Sequence, residues 1–195
     1  MPIEGFDEDF VDIRDYILKI TFRIWEGRRM EAIRDYYGDP CPVNTPGSFS
    51  TDVESVVKGT VATLNQFPDR PLLGEDVIGY ESSPGKIYSS HRIFSNMTHN
   101  GDGYFGAATG REVNVRTIAD CVCVANKIVH EWLVRDQAAI VSQTGQDPST
   151  FALEKAREAI ASGQAQPTSE VSVSVCQPII HHRDMKCNHA PHRSC

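Results

Sequence analysis

The sequence predicts an α+β fold in which helices pack on one face of a curved antiparallel sheet. Three observations carry this prediction. Apolar residues recur at intervals of three and four in the N-terminal third of the chain, the pattern changes to alternation after Pro71, and 195 residues with 40% hydrophobic side chains can bury one sizeable core. Because the helices come as one run and the strands as another, a layered α+β domain is favoured over alternating βαβ units.

Three amphipathic helices are predicted before the sheet. The first covers residues 9–26, where apolar residues recur at helical spacing with charged residues between them. Gly27 ends this helix, and a shorter one follows as far as Gly38-Asp39-Pro40. The third helix carries one apolar stripe between Asp52 and Pro68.

The rest of the N-terminal three quarters has the pattern of strands and turns. Cys41–Asn44 is predicted as a short strand and Pro46-Gly47-Ser48 as a loop. A tight Ala125-Asn126 turn joins the last two strands. Residues typical of strands, bounded by turn residues, predict four more strands, namely Leu72–Tyr80, Lys86–Thr98, Glu112–Val124 and Lys127–Asp136.

Two helices and a segment of different composition complete the chain. A short helix is predicted over residues 137–145, and another from Asp147-Pro148 to Gly163. We therefore expect a domain over residues 1–148, a C-terminal helix over 149–163, and a flexible tail or remnant of a further domain over 164–195. Four possible zinc ligands lie in that tail, but it has no paired CxxC motif and we predict no metal site there; they are Cys187, His189, His192 and Cys195.

Charge and composition exclude several classes of partner. The net charge of -7 and the pI of about 5.5 argue against a nucleic-acid binder. The acidic N-terminus is unlike a signal peptide, and no apolar run approaches the roughly 20 residues of a membrane span. We expect a soluble, cytoplasmic protein with reduced thiols, in which Cys121 and Cys123 share one strand face as small apolar residues.

The segment from Ile128 to Asp136 is the most informative for chemistry. Strand alternation places His130, Trp132, Val134 and Asp136 on one face. A carboxylate among apolar neighbours is held toward its neutral form and can serve as a general acid or base. The alternative interpretation is that Asp136 caps the helix that begins at Gln137.

Several short motifs together resemble one known family. They are Thr98-His99-Asn100-Gly101, Ala108-Thr109-Gly110-Arg111, Ile118-Ala119-Asp120, Lys127-Ile128-Val129-His130-Glu131-Trp132 followed by Asp136, and Gln143-Thr144-Gly145. With the order of the helices, these motifs resemble the SnoaL-like polyketide cyclases of the nuclear-transport-factor-2-like superfamily, over roughly residues 9–148.

The resemblance implies a cone, in which a strongly bent antiparallel sheet wraps around three helices and leaves a pocket at its open end. It also implies cofactor-free and metal-free acid/base catalysis, because the founding members close a ring on a polyketide ester by an intramolecular aldol reaction. Asp136 matches the family's acidic residue. Asn44 stands where members commonly carry one histidine, and Asp120 stands near the position of a second.

From this resemblance we expect Asp136 to accept and donate the proton, with Asp120 or His91 as the partner that tunes it. Alternation puts His91 on the same strand face as Ile93, which favours a position in the cavity. Two alternatives remain open: Asp120 forms a structural ion pair with Arg116 or Arg111, and His91 is a satisfied interior histidine.

Four further residues are expected to bind substrate. Asn44 would donate a hydrogen bond to a substrate oxygen, Trp132 would form a wall of the pocket, and His130 lies on the same strand face as Trp132. His99 would belong to a mobile lid in its glycine-flanked loop. The alternative for His99 is a turn histidine without a role.

Two functions remain open from the sequence. The first is a SnoaL-like domain that binds a small, largely apolar carbonyl compound and transforms it by cofactor-free acid/base catalysis, of cyclase, isomerase or hydrolase type. The second is a non-catalytic ligand-binding or dimerisation module of the same fold. Analogy to the family also predicts a homodimer through the exposed face of the sheet. The fold alone does not choose between these functions.

Overall fold

The computed structural model describes residues 3–163. Residues 3–155 belong to one compact unit that contains the whole sheet, and the described part of a second unit consists of residues 156–163. The tail predicted for residues 164–195, with its possible ligands Cys187 to Cys195, lies outside the described residues. Among the described residues, no helix is long and apolar enough to cross a membrane.

The predicted N-terminal helices are present, but shorter and more irregular than the apolar pattern indicated. Helix α1 covers Ile13–Thr21 and continues as a π-helical turn over Phe22–Glu26. A 3-10 turn at Met30–Ala32 leads into α2 at Ile33–Tyr36. Helix α3 covers Val53–Gln66. Aspartates begin the two regular helices: Asp12 accepts from the backbone N–H of Asp15, and Asp52 from that of Ser55, both at 2.8 Å. Each cap satisfies a backbone donor that the first helical turn leaves free.

Six strands form one sheet in the order β2-β1-β6-β5-β4-β3. Neighbouring strands run antiparallel except β1 and β6, which are parallel. Strand β2 was not predicted, since Pro46-Gly47-Ser48 was expected to be a loop; the chain instead turns at Pro46-Gly47 and pairs back on itself. The bounds are β1 Val43–Thr45, β2 Ser48–Ser50, β3 Leu73–Ser83, β4 Lys86–Thr98, β5 Glu112–Val124 and β6 Lys127–Arg135.

Two helices follow the sheet, as the sequence predicted. Helix α4 covers Gln137–Gln143 and α5 covers Pro148–Ala161. Met97 on β4, Val113 on β5 and Ile140 on α4 belong to one buried apolar cluster, which fixes α4 against the end of the sheet.

The main core lies between the concave face of the sheet and α1. Along β5, alternate residues from Val113 to Cys123 are buried, whereas most of the residues between them are partly or fully exposed. Tyr16 and Ile17 of α1 pack against this inner row. The thiols of Cys121 and Cys123 are free and buried on one strand face, which confirms their prediction as small core residues.

One irregularity in β6 decides which residues face the cavity. In the β5–β6 hairpin, Cys123 pairs with Ile128, but Val122 pairs with His130, so Val129 is an extra residue opposite no partner. A slip of one residue sends every later side chain to the opposite face of the sheet. Beyond this bulge, Glu131, Leu133 and Arg135 therefore point into the concave side, and Trp132 and Val134 point outward.

A candidate active site in the concave sheet

A cavity of about 250 Å³ lies between the concave face of the sheet and the N-terminal helices. Strands β4, β5 and β6 form its floor, while α1, its π-helical turn and α3 form its opposite wall. Most of the lining is apolar, as is usual for a small-molecule site. The apolar lining residues include Ile17, Ile20, Ile24, Trp25, Ile33, Val43, Val56, Leu72, Ile93, Ile128 and Leu133.

Glu131 is the buried carboxylate of this cavity. Its side chain is only 6% exposed, Tyr37 donates its hydroxyl to Oε2 at 3.1 Å, and the thiol of Cys121 donates to Oε1 at 3.9 Å. Burial raises the pKa of Glu131 from 4.5 to about 7, although the hydrogen bonds from Tyr37 and Cys121 lower it in part. A carboxyl group with a pKa near neutrality can both take up and release a proton at physiological pH.

Two arginines line the same cavity. Arg70 is 5% exposed, and its Nε lies 3.4 Å from the hydroxyl of Ser95. Its guanidinium lies 4.9 Å from the centre of the Trp25 ring. Arg135 is partly buried and donates from Nε to the side-chain oxygen of Gln137 at 3.2 Å. Burial, and then the charge of Arg135, lower the pKa of Arg70 to about 9, so this guanidinium stays protonated at neutral pH.

His91 and Thr117 add two unpaired polar atoms to the lining. His91 is 2% exposed, and its Nε2 has no hydrogen-bond partner among the described residues, nor has Oγ1 of Thr117. Burial lowers the pKa of His91 to about 4, which keeps the ring neutral at physiological pH. The predicted position of His91 in the cavity is confirmed, but the alternative of a fully satisfied interior histidine is wrong for Nε2.

Four other predicted residues lie away from this cavity, on the convex side of the sheet. Asn44 and Asp120 lie on either side of Trp132 in the strand register. Nδ2 of Asn44 lies 3.2 Å from Nε2 of His130, and the rings of His130 and Trp132 stack with their centres 3.7 Å apart. None of the four lines the cavity. Their expected position at the pocket is wrong. The Val129 bulge turns His130 and Trp132 outward, whereas alternation along β5 and β1 places Asp120 and Asn44 on the convex face, between neighbours that line the cavity. The ion pair offered for Asp120 is not formed either, since Arg116 pairs with Glu75 and Oδ1 of Asp120 has no partner among the described residues.

Asp136 is exposed and caps α4. Its Oδ1 accepts from the backbone N–H of Ala139 at 2.8 Å, and it does not line the cavity. This confirms the capping interpretation and contradicts the expectation that the Asp136 side chain faces the pocket with Trp132 and Val134. Asp136 and Asp120 are therefore not brought together as an acid/base pair at the cavity.

His99 is a buried loop residue and not part of an exposed lid. It is 0% exposed, Nδ1 lies 3.2 Å from Oγ1 of Thr109, and its ring lies against Phe67. Its backbone pairs with Gly110 and Arg111, which ties the loop to the start of β5. The expected position of His99 at a pocket mouth is wrong because this loop carries its own hydrogen bonds and aromatic packing.

The cavity residues that the sequence reasoning missed are Glu131, Tyr37, Arg70 and Arg135. Strand alternation alone puts Glu131 and Arg135 on the face opposite to Asp136, but the apolar partners of Asp136 favoured its own face as the inner one. A regular two-residue hairpin at Ala125-Asn126 also predicts, incorrectly, that Asp136 and Trp132 face inward. No residue type near Val129 indicates the bulge.

Comparison with solved structures identifies the fold. AclR from Streptomyces galilaeus, a proposed hydroxylase, is 18% identical and has a TM-score of 0.58, with 77% of this chain and 94% of that chain covered. A proposed polyketide cyclase from Acidithiobacillus ferrooxidans is 15% identical, with a TM-score of 0.57 and coverage of 67% and 92%. A SnoaL-like polyketide cyclase from Agrobacterium tumefaciens is 18% identical, with a TM-score of 0.53 and coverage of 68% and 97%. This chain has the SnoaL-like fold.

The likeness in fold extends to a further solved structure. A protein from Catenulispora acidiphila with a ketosteroid isomerase-like fold is 10% identical and gives a TM-score of 0.54. No protein-family model matches the sequence, and no curated protein matches it. At these identities the comparisons establish the SnoaL-like fold, and the chemistry has to be argued from the cavity of this chain.

Proposed function

We propose that this SnoaL-like chain binds a small, largely apolar carbonyl compound in its cavity and moves a proton on that compound by cofactor-free acid/base catalysis. Glu131 is the proposed acid/base. The observation that carries the proposal is a carboxylate buried in an apolar cavity, with a pKa raised to about 7 and an orienting hydrogen bond from Tyr37.

The proposed step starts with ionised Glu131. Its carboxylate takes a proton from a carbon next to a carbonyl group. The electron pair of that C–H bond forms a C=C bond, and the π pair of the carbonyl moves to its oxygen to give an enolate. Neutral His91 and Thr117 are the proposed donors to the enolate oxygen, because each has a buried polar atom without a partner in the described chain. The protonated Glu131 then returns its proton to carbon, as in an isomerase. Alternatively, the enolate carbon attacks a second carbonyl carbon, as in a cyclase, the π pair of that carbonyl moves to its oxygen, and Glu131 gives its proton to the alkoxide that forms.

Hydrogen exchange tests this proposal without knowledge of the natural substrate. Methyl 3-benzoylpropanoate and a series of cyclic ketones are incubated with the protein in deuterium oxide, and loss of the signals of protons next to the carbonyl is followed by NMR. We expect exchange above the uncatalysed rate with the wild-type protein. Glu131→Gln is expected to lower the protein-catalysed rate by at least about 100-fold, the usual contribution of a general base.

Asp136→Asn is the matched control. It also replaces a carboxylate by an amide, at the residue that directly follows β6 and lies outside the cavity. We expect this variant to keep the wild-type exchange rate. Loss of exchange in Asp136→Asn with retention in Glu131→Gln would assign the acid/base role to Asp136 instead. Binding of the ketones with no exchange above background would favour the non-catalytic binding module.

A further inference from the structure

We infer that the natural ligand of this cavity is an organic carboxylate, whose carboxylate group is held by Arg70 and Arg135. This inference deepens the proposed function, because it rests on the cavity being a ligand site and names the charge of the ligand. It is argued from the guanidinium groups of the buried Arg70 and the partly buried Arg135, and from the side chains around them in the described chain.

The two cavity arginines differ from the surface arginines in their partners. Arg34 is paired with Glu54, and Arg92 and Arg116 are both paired with Glu75. In contrast, no carboxylate of the described chain lies within 4 Å of Arg70 or Arg135, whose side chains donate hydrogen bonds to a serine hydroxyl and a glutamine amide oxygen. Taking a cation out of water without a counter-charge is costly, so a buried unpaired pair of arginines favours an anion.

The strand register brings the two arginines to neighbouring positions on the concave face. Arg70 reaches Ser95 on β4, and Arg135 on β6 pairs with Thr117 on β5. Ser95 and Thr117 are diagonal neighbours, because Ile93 is the β4 residue directly opposite Thr117. The effect of Arg135 on the pKa of Arg70 shows that the two like charges interact, and an anion between them relieves this repulsion.

Glu131 does not supply this counter-charge. Its carboxylate is held by Tyr37 and Cys121, and no arginine contributes to its pKa. His91 is neutral at physiological pH, so the cavity carries two positive charges against one carboxyl group that is only partly ionised.

A carboxylate is the anion that best fits these donors. Guanidinium groups bind planar carboxylates through two parallel N–H···O bonds. The apolar walls then take the rest of the molecule, which makes a keto acid with an apolar body the predicted ligand class.

The test compares 3-benzoylpropanoate with its methyl ester, two ligands that share the ketone and the ring and differ in charge. Binding is measured by isothermal titration calorimetry at low and at high salt. We expect the acid to bind at least about tenfold more tightly than the ester, as a charge-assisted hydrogen bond predicts. Arg135→Gln and Arg70→Met are each expected to remove about tenfold of the affinity for the acid and to leave the affinity for the ester within about twofold.

Arg92→Gln is the matched control, because it removes the same charge from the convex side of the sheet. We expect it to leave the preference for the acid unchanged. Because Arg70 is buried, the affinity of Arg70→Met is interpreted only if this variant unfolds cooperatively. If it does not, the result for Arg135→Gln decides the test, since Arg135 is only partly buried.

Equal affinity for the acid and the ester overturns the inference, as does a lack of measurable binding by the acid. An unchanged preference for the acid in Arg135→Gln overturns it as well. This outcome is separate from that of the exchange experiment, which uses uncharged ketones and a substitution of Glu131. Preferential binding of the acid without hydrogen exchange would remove the catalytic proposal alone. Hydrogen exchange without preferential binding of the acid would remove this inference alone.

Discussion

At the scale of single residues, Glu131 should couple the stability of the fold to pH. Its pKa rises from 4.5 to about 7 on burial, so the folded state holds a proton that the unfolded state releases between those two values. The stability contributed by this proton is fully present below about pH 4.5 and is lost as the pH rises through about 7. One pKa unit corresponds to about 1.4 kcal/mol, so ionised Glu131 costs the fold roughly 3 kcal/mol at high pH.

Glu131→Gln is therefore expected to raise the free energy of unfolding relative to wild type near pH 8, by up to roughly 3 kcal/mol, and to change it far less near pH 4. The amide can still accept the hydrogen bond from Tyr37, so the substitution mainly removes the buried charge. Urea unfolding of both proteins at the two pH values measures the difference. An equal effect of the substitution at both pH values would contradict the raised pKa of Glu131.

Tyr37 should act on the chemistry only through Glu131. Its hydroxyl donates to Oε2 of Glu131 and lowers the pKa of that carboxyl group. In Tyr37→Phe we expect the pKa of Glu131 to rise, and the pH at which ketone exchange reaches half its maximal rate to move upward. Tyr36→Phe is the control, since the Tyr36 hydroxyl binds Arg23 instead. A loss of rate in Tyr37→Phe without a shift of the pH profile would argue against this positioning role.

The sequence predicted one cavity residue correctly and misplaced most of the others. His91 could be placed because β4 is regular and alternation holds along it from Lys86 to Thr98. Trp132 and His130 were misplaced because a one-residue bulge, which depends on the packing of the whole sheet, inverts the face of β6. Asp120 was placed at the pocket by the resemblance, although the regular alternation of β5 puts it on the convex face.

At the scale of elements, Asp136 should stabilise α4 through its cap. Its carboxylate accepts from Ala139 N–H, a donor that otherwise has no partner within the helix. Asp136→Ala is expected to lower the free energy of unfolding by about 1 kcal/mol, whereas Asp136→Asn should change it by only a few tenths, because asparagine caps about equally well. Chemical denaturation of the two variants checks this, and equal losses in both would mean that the negative charge and not the cap is what matters.

Most elements could be predicted from the sequence because their signals are local. The bounds of β4 and β5 match the predicted strands, and α3 and α4 begin directly after aspartate caps. The exceptions depend on contacts between distant segments. The three-residue strand β2 exists only by pairing with β1, and the π-helical turn after α1 carries Ile24 and Trp25 into the cavity wall, which no periodicity reveals.

At the scale of the whole molecule, the fold class followed from the order of helices and strands, and the cone followed from the resemblance. The resemblance also implied a pocket, but not its charged lining, because that lining depends on how the three N-terminal helices and strands β1, β2, β4, β5 and β6 come together, and on Arg70 in a connecting segment. The convex face of the sheet, in contrast, leaves large apolar side chains in contact with solvent.

The expected homodimer can be tested on this convex face. Val134 and Ile78 are 62% and 63% exposed there, and Trp132 is 38% exposed; they come from the two strands that flank β4 and β5 in the sheet. Across the sheet Ser90 and Asp120 lie between Ile78 and Trp132, so the face combines exposed apolar side chains with polar ones, a composition compatible with a protein interface. Val134→Lys is expected to turn a dimer into a monomer in sedimentation velocity at micromolar concentration, because it would bury a charge in the interface.

Val11→Lys is the matched control, since Val11 is 64% exposed outside the sheet and its substitution should leave the dimer intact. A wild-type protein that sediments as a monomer would contradict the predicted homodimer.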